Sequence, residues 1–223
     1  RRDQYDGLIR LAQTMTLPST TLAAAAPDLL DLDQVFRCAA LVNLWGVGDS
    51  YYTGGLQHNV RFFVPDSGRG IQFLPWDMDF AMSASTTSAL QPSGNALAKL
   101  ITSSPGHQRR YLGHVRHLCD TVFKTSELTP WLTHYGSVVG KNFSGAASYI
   151  TARRNFALGQ MPSQTSFALT TNNGAPFATE AAEVLLQGTA GVDVRDIRLA
   201  GIPSAVVWSS LTQWQVTAPL LPG

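Results

Sequence analysis

Two aspartates interrupt an otherwise apolar run at residues 70–82, GIQFLPWDMDFAM. Asp77 and Asp79 are two residues apart, and in an extended chain residues at this spacing face the same side. The pattern therefore predicts two carboxylates that converge on one face, with apolar neighbours filling the other. Because an unpaired buried carboxylate is costly, we expect a cation, an arginine or water at a strand end to compensate them.

The composition of the chain is that of a globular protein with few charges. Of its 223 residues, 44% are hydrophobic and only 14% are charged, against a typical ~25% charged. The formal net charge of +1 supplies no basic field for nucleic acid or anionic membranes. No stretch reaches the ~18 consecutive apolar residues of a membrane span. We therefore expect neither a nucleic-acid partner nor a membrane-spanning segment.

Helical patterns dominate the first 160 residues. We expect a mostly irregular connection at 16–29 and a β-hairpin at 59–77, whose two apolar strands flank the turn-like PDSGRG. We expect a buried helix before the hairpin, which Asp31 or Asp33 could cap at its start and Gly46 or Gly48 could end. The periodicity of apolar residues predicts helices over 3–15, 31–48, 96–104, 105–123, 126–139 and 144–161.

The pattern changes after Met161-Pro162. Short apolar runs with frequent Gly and Pro follow, which indicates an all-β module of sandwich type. We therefore predict two domains, 1–162 and 163–223. Since the last predicted strand has no successor and the chain starts inside a pattern, we expect the β-sandwich to be partial. We also expect the chain to be part of a longer polypeptide.

The stretch from Phe36 to Phe80 resembles the CotH (spore-coat protein H-like) kinase family, an atypical protein kinase family. The segments that carry the resemblance are AALVNLWGVGDSYYTGGLQHNVRFFV and GIQFLPWDMDF. They place an Asp after a helix, a His-Asn before a strand, and a PWDxD signature after the partner strand. The resemblance covers about residues 1–160. It implies an α+β fold, with a mostly helical lobe like the C-terminal lobe of a protein kinase and one β-hairpin.

The resemblance also implies the reaction and the residues that serve it. The family transfers the γ-phosphoryl group of a nucleoside triphosphate such as ATP to a Ser or Thr hydroxyl of a protein, with Mg²⁺. Asp49 matches the catalytic residue that orients the acceptor hydroxyl, and Asn59 and Asp77 match cofactor and metal ligands. Asp79 is either a further metal ligand or a structural acceptor. Because a hairpin brings its outer ends together, Asn59 and Asp77 could face one cation, and oxygen ligands suit Mg²⁺.

Other family features are absent or structural. Arg153, in YITARRNF, resembles an arginine of the family's C-terminal helix, which we assign to structure. No glycine-rich phosphate loop is identified in the chain. No lysine matches the strand lysine of a kinase either, because Lys99, Lys124 and Lys141 lie downstream of the hairpin. We therefore expect this piece alone to be inactive as a kinase.

The alternative is a catalytically inactive kinase-like scaffold in an adhesion or assembly protein. The family resemblance places either form outside the cell or at a bacterial surface, and the low charged fraction agrees with that location.

Three histidines, His107, His114 and His117, lie on one predicted helix. His114 and His117 are three residues apart, so both could lie on one face. A zinc site needs a third and usually a fourth ligand, and none is apparent. We therefore interpret the three as part of a polar helix face.

The cysteines and two tryptophans favour packing roles. Cys38 and Cys119 match no CxxC spacing, so we expect two small buried hydrophobes, and a single disulfide stays possible. Trp208 and Trp214 lie in the β-module, where they could stack on sugars. Core packing is the commoner role of such tryptophans, and we expect it here.

Overall fold

The computed structural model describes residues 5–54 and 58–220 and has an α+β fold. Within these residues the helices are α1 (Asp6–Thr16), α2 (Ser19–Leu29), α3 (Leu32–Leu44), α4 (Ala96–Thr102), α5 (Pro105–Thr121), α6 (Thr125–Val139) and α7 (Ser144–Gly159). The strands are β1 (Val60–Phe63), β2 (Gln72–Pro75), β3 (Ala168–Leu169), β4 (Glu183–Thr189), β5 (Arg198–Leu199), β6 (Ile202–Pro203), β7 (Val207–Trp208) and β8 (Gln213–Pro219). Among the described helices, none combines the length and the hydrophobicity that a bilayer crossing requires.

Helix α3 lies at the centre of the larger hydrophobic core and contacts α5, α7 and β2. Asp31 caps it, since its carboxylate accepts a hydrogen bond from the main-chain N–H of Gln34 at 3.1 Å. Gly46, with φ of +56°, turns the chain away just after the helix. Both predicted end signals are thus confirmed, and the turn leads directly into the loop that carries Asp49. The residues that α3 buries are Leu32, Val35, Phe36, Ala39, Ala40, Val42, Asn43 and Leu44.

Residues 16–29 are more helical than the sequence suggested. The expected irregular connection is wrong, because α2 occupies Ser19–Leu29 and includes Pro27. Four consecutive alanines favour a helix. Pro27 removes one main-chain hydrogen bond from α2, and the packing of α2 against α1 and α4 compensates for that loss. The side chains that α2 buries are Leu22, Ala26 and Leu29.

The predicted hairpin is confirmed. Strands β1 and β2 pair antiparallel, with Val60 opposite Pro75 and Phe63 opposite Gln72. The side chain of Gln34 attaches the hairpin to α3. Its Nε2 donates to the main-chain oxygen of Phe73 at 2.9 Å, and its Oε1 accepts from the N–H of the same residue at 3.1 Å.

The chain after β2 is not extended, so the prediction that Asp77 and Asp79 share one strand face is wrong. Asp77 has φ of +54°, and a 3₁₀ turn follows at Met78–Phe80. The chain bends because it hydrogen-bonds back to the turn after α3, where the N–H of Met82 donates to Trp45 O at 2.6 Å. Both carboxylates are exposed, so solvent rather than a buried partner compensates their charge.

The part of the chain after α7 is all-β, as expected. Strands β3, β4, β8 and β7 form a four-stranded antiparallel sheet in that order, and β5 pairs with β6. A second, small core contains Ala190, Ile197 and Val216. Trp214 belongs to it, as predicted, and donates from Nε1 to Thr189 O at 3.1 Å. The domain boundary near residue 162 stays a prediction.

Arg109 of α5 joins the helical part to the β part. Its guanidinium lies over the ring of Trp208, with 3.5 Å from Cζ to the ring centroid. Burial lowers the pKa of Arg109 to about 10, which leaves the side chain charged at neutral pH. It donates to the main-chain oxygens of Ala190, Gly191, Val194 and Leu211. One buried cation therefore satisfies four carbonyl groups of the β part.

Both cysteines are free thiols. Cys119 is buried and Cys38 is half-buried. Burial raises the pKa of the Cys38 thiol and raises that of Cys119 to about 11. The interpretation as small packing residues is confirmed for Cys119.

Candidate functional site

Asp49 lies on a tightly bonded loop after α3. The hydroxyl of Thr53 donates to the main-chain oxygen of Val47 at 2.7 Å and closes the first turn of this loop. The amide of Asn95 donates to Gly54 O at 2.7 Å, and its Oδ1 caps α4. The loop backbone is thus fixed by side chains on both sides of Asp49.

Asn59 binds Asp49 directly. Its Nδ2 donates to Asp49 Oδ2 at 2.9 Å and to the main-chain oxygen of Asp49 at 3.1 Å. Asn59 has φ of +59°, a left-handed conformation that Asn tolerates better than most residues. The other carboxylate oxygen, Asp49 Oδ1, is buried and has no hydrogen-bond partner within the described residues. Asn59 therefore fixes one carboxylate oxygen of Asp49, and no group in the described part of the chain fixes the other.

The turn that carries Asp77 is hydrogen-bonded to Asn59 and to the residue before Asp49. The N–H of Trp76 donates to Asn59 O at 3.3 Å, which places Asp77 immediately beyond the paired end of the hairpin. The N–H of Gly48, next to Asp49, donates to the hydroxyl of Ser83 at 3.0 Å. The Asp49 loop, the start of β1 and the turn after β2 thus meet at one place, and Asp79 lies in the exposed part of that turn.

The chemistry of the side chains at this place allows a magnesium ion that takes only part of its ligands from protein. Within residues 5–54 and 58–220, no group of three His, Cys, Asp or Glu side chains is placed to hold a metal ion. Mg²⁺ commonly binds one or two carboxylates, with phosphate and water oxygens completing its shell. The exposed carboxylate of Asp77 and the amide oxygen of Asn59 suit such an ion, whereas Asp49 Oδ1 suits a hydroxyl donor.

Arg153 connects the segments that form the site. The side chain is 1% exposed. Its Nη2 donates to Asn43 Oδ1 at 2.6 Å and to Asn43 O at 3.1 Å, at the end of α3. Its Nη1 donates to the main-chain oxygens of Thr86 and Ser88, in the segment that follows the Asp77 turn. The structural role assigned to Arg153 from the sequence is confirmed by these contacts.

Tyr149, Asn43 and Asn95 are supporting residues that the sequence reasoning missed. A Cβ at Gly46 would overlap the hydroxyl of Tyr149, so the turn before Asp49 requires glycine for both space and conformation. Asn95 precedes the predicted helix ALAKL, and this N-cap pattern could have identified it. Nothing in the sequence marks Asn43 or Tyr149, because each contributes through a long-range contact.

The histidine interpretation needs correction. His107 and His114 are buried and only His117 is exposed, so a polar helix face is wrong for two of the three. The reason is that α5 packs against α3, where His114 Nε2 lies 2.9 Å from Asp33 Oδ1. Burial lowers the pKa of both His107 and His114.

A comparison with protein families matches most of the chain. The family model described as CotH kinase protein matches residues 1–152, which include Asp49, Asn59 and Asp77. None of the curated proteins matches the chain. The matched region comprises more than half of the 223 residues and ends just before Arg153. The chain therefore belongs to the CotH kinase family.

Proposed function

We propose that this chain supplies the acceptor-binding and metal-binding half of a protein kinase site. The reaction is Mg²⁺-dependent transfer of the γ-phosphoryl group of a nucleoside triphosphate to a Ser or Thr hydroxyl of a protein substrate. The family membership supports kinase chemistry in general. We further propose that the nucleotide is a nucleoside triphosphate such as ATP, that the metal is Mg²⁺ and that the acceptor is a protein.

The observation that carries the proposal is the asymmetric environment of the Asp49 carboxylate. Oδ2 is fixed by Asn59, whereas Oδ1 is buried and receives no hydrogen bond from residues 5–54 or 58–220. A buried acceptor without a hydrogen bond costs about 1–3 kcal/mol. A substrate hydroxyl that donates to Oδ1 would remove this cost and would be oriented for attack on phosphorus. Asp49 therefore serves as the residue that positions the acceptor and holds its proton.

Asn59 has a second role at the metal. While Nδ2 holds Asp49, the amide oxygen is directed to a different partner, since the two atoms lie on opposite arms of a planar group. The Asn59 oxygen and the Asp77 carboxylate would hold the Mg²⁺, and a bound Mg²⁺ neutralises charge on the phosphoryl oxygens. Asp79, exposed on the same turn, is the candidate for a further ligand. We also propose a location outside the cell or at a bacterial surface, supported by the 14% charged fraction.

A second candidate function is a kinase-like scaffold without catalysis. Protein kinases use a strand lysine to hold the nucleotide phosphates, and the lysines of this chain lie after the hairpin. Lys99 donates to the main-chain oxygen of Leu17 at 2.9 Å, and Lys124 forms an ion pair with Glu127 at 3.6 Å. These contacts favour structural roles for both. The scaffold would keep the fold and lose phosphotransfer.

The test is transfer of labelled γ-phosphate from ATP in the full-length polypeptide. Wild-type protein is compared with Asp49→Asn, which keeps the shape and removes the carboxylate. Asp66→Asn, on the exposed turn between β1 and β2, is the matched control. We expect incorporation in wild type and Asp66→Asn and a loss of at least about 100-fold in Asp49→Asn. Equal incorporation in all three would remove Asp49 from the mechanism, and none in wild type would favour the scaffold.

A further inference from the structure

Strand β1 of the hairpin carries an exposed arginine, Arg61, whose side chain is held by an aromatic ring. The guanidinium carbon Cζ lies 3.3 Å from the centroid of the Trp76 ring. A guanidinium stacks on an aromatic ring through its flat face, and its N–H groups point outward from the edge of the plane. The stack therefore holds the position of Arg61 and leaves its edge N–H groups available as donors.

The Arg61 side chain extends toward the end of the hairpin that carries the candidate site. Arg61 lies opposite Leu74 across the hairpin, and Trp76 follows two residues later, just past the paired strands. The N–H of Trp76 donates to Asn59 O at 3.3 Å, and the next residue is Asp77. The charge of Arg61 therefore lies at the site end of the hairpin and not at its distal turn.

No protein carboxylate neutralises the charge of Arg61 in the described part of the chain. Among residues 5–54 and 58–220, none of the ion pairs includes Arg61, and Asp77 is not its partner although it adjoins Trp76. An exposed arginine without an ion pair is common on protein surfaces. Arg61 differs because its position is fixed and adjoins the carboxylate that we propose as a ligand of Mg²⁺.

A kinase site needs a protein cation for the phosphate chain in addition to the metal. Protein kinases supply it as a strand lysine. Here Lys99 and Lys124 contact Leu17 O and Glu127 and are half-buried. Arg153 is buried and donates to protein oxygens. Of these four cations, Arg61 alone is exposed and can reach a ligand.

We propose that Arg61 binds the phosphate chain of the nucleoside triphosphate, in the role that the strand lysine has in protein kinases; this inference rests on the proposed function. A guanidinium donates two parallel N–H groups to a phosphate, which fixes the orientation of the phosphate and adds charge. Because the Trp76 ring already restricts the Arg61 side chain, binding costs less conformational entropy than it does for an unrestrained arginine. Trp76 is thus a positioning residue for Arg61.

The first experiment measures Mg²⁺-dependent binding of ATP to the full-length polypeptide by calorimetric titration. Arg61→Met removes the charge and keeps an unbranched side chain that can contact the Trp76 ring. The matched control is Arg69→Met, an exposed arginine at the other end of the hairpin. We expect Arg61→Met to weaken ATP binding about tenfold or more, whereas Arg69→Met binds like wild type. Equal affinities in these two variants would overturn the proposal.

Two further variants separate this inference from the proposed function. Arg61→Lys keeps the charge and should bind ATP more tightly than Arg61→Met, and equal binding would show that the charge is not used. If Asp77→Asn weakens Mg²⁺-dependent binding while Arg61→Met does not, the metal site stands and the role of Arg61 is wrong. If wild-type protein does not bind ATP, the proposed function and this inference are both wrong.

The second experiment distinguishes the phosphate chain from the base. Inorganic tripolyphosphate has the phosphate chain without a base, so with Mg²⁺ it should displace ATP from wild-type protein. Its affinity should fall in Arg61→Met by about the same factor as the affinity for ATP. A loss for ATP alone would assign the stack of Arg61 and Trp76 to the base and overturn the proposal. Failure of tripolyphosphate to displace ATP from wild type would overturn it as well.

Discussion

Asn59 donates two hydrogen bonds to Asp49, at 2.9 Å to the carboxylate and at 3.1 Å to the main-chain oxygen. The pair connects the loop after α3 to the first residue before β1. Because one amide group holds both the side chain and the backbone of Asp49, it fixes the direction of the carboxylate, and among the residues that the structure describes none donates to Oδ1.

The first prediction separates the hydrogen bonds of Asn59 from its backbone conformation. Asn59→Gly keeps the left-handed φ of +59° and removes the amide. It should lower the free energy of unfolding by about 2 kcal/mol, since a bond to a charged group is lost. Asn59→Ala should cost about 1 kcal/mol more because of the left-handed backbone. Urea unfolding of both variants measures the difference, and equal stabilities would show that the conformation carries no cost.

The second prediction concerns the buried guanidinium of Arg153. Arg153→Met fills the space and leaves the oxygens of Asn43, Thr86 and Ser88 without their donors. It should destabilise the fold by at least about 3 kcal/mol. Arg154→Met is the matched control, because Arg154 is more exposed and makes a hydrogen bond to Cys119 O at 2.7 Å. Arg154→Met should cost about 1 kcal/mol, and a larger loss than in Arg153→Met would contradict the assignment.

Much of the fold follows from local patterns, whereas the support of the site does not. The caps at Asp31 and Gly46 and the β1–β2 hairpin were predictable because turn and cap residues act on their immediate neighbours. The backbone conformation at Asp77 was not predictable, because the turn is held by a long-range hydrogen bond from the N–H of Met82 to the main-chain oxygen of Trp45. The PWDxD signature indicated where the carboxylates occur but not that they leave the strand.

Likewise, long-range contacts decide which polar residues are buried. His114 is buried because α5 packs against Asp33 of α3, and periodicity along one helix contains no information on that neighbour.

The third prediction concerns the contact between the helical and β parts. Arg109→Met removes the hydrogen bonds to the β-part carbonyl groups and should make that part more sensitive to proteolysis. Arg110→Met, at the exposed neighbouring position, is the control and should behave like wild type. Limited proteolysis followed by mass spectrometry identifies the cleavage sites. Equal cleavage of both variants after residue 162 would show that Arg109 does not hold the β part.

The fourth prediction is a loss of stability in mild acid. Burial lowers the pKa of His114 below its ordinary 6.5, Arg195 and Arg37 lower it further, and Asp33 opposes them. As the pH falls below 6.5, the unfolded chain binds a proton that the folded chain does not, so the free energy of unfolding decreases. Above pH 6.5 His114 is neutral in both the folded and the unfolded chain, so its titration no longer lowers the free energy of unfolding.

His114→Gln should reduce this pH dependence, which urea unfolding between about pH 7.5 and pH 5 measures. His117→Gln, exposed on the same helix, should retain the wild-type slope. An unchanged slope in His114→Gln would show that this imidazole does not produce the acid sensitivity. A tenfold difference in proton affinity between the folded and unfolded chains corresponds to about 1.4 kcal/mol.

The central claim is that Asp49, Asn59 and Asp77 form one site that binds a nucleotide through Mg²⁺. The most direct measurement is calorimetric titration of the full-length polypeptide with ATP, with and without Mg²⁺, for wild type, Asp77→Asn and Asp66→Asn. Both aspartates are exposed near the hairpin, at its opposite ends. We predict that Asp77→Asn lowers the Mg²⁺-dependent affinity about tenfold or more, equivalent to about 1.4 kcal/mol, while Asp66→Asn does not. Equal Mg²⁺-dependent affinities in all three proteins would contradict the account.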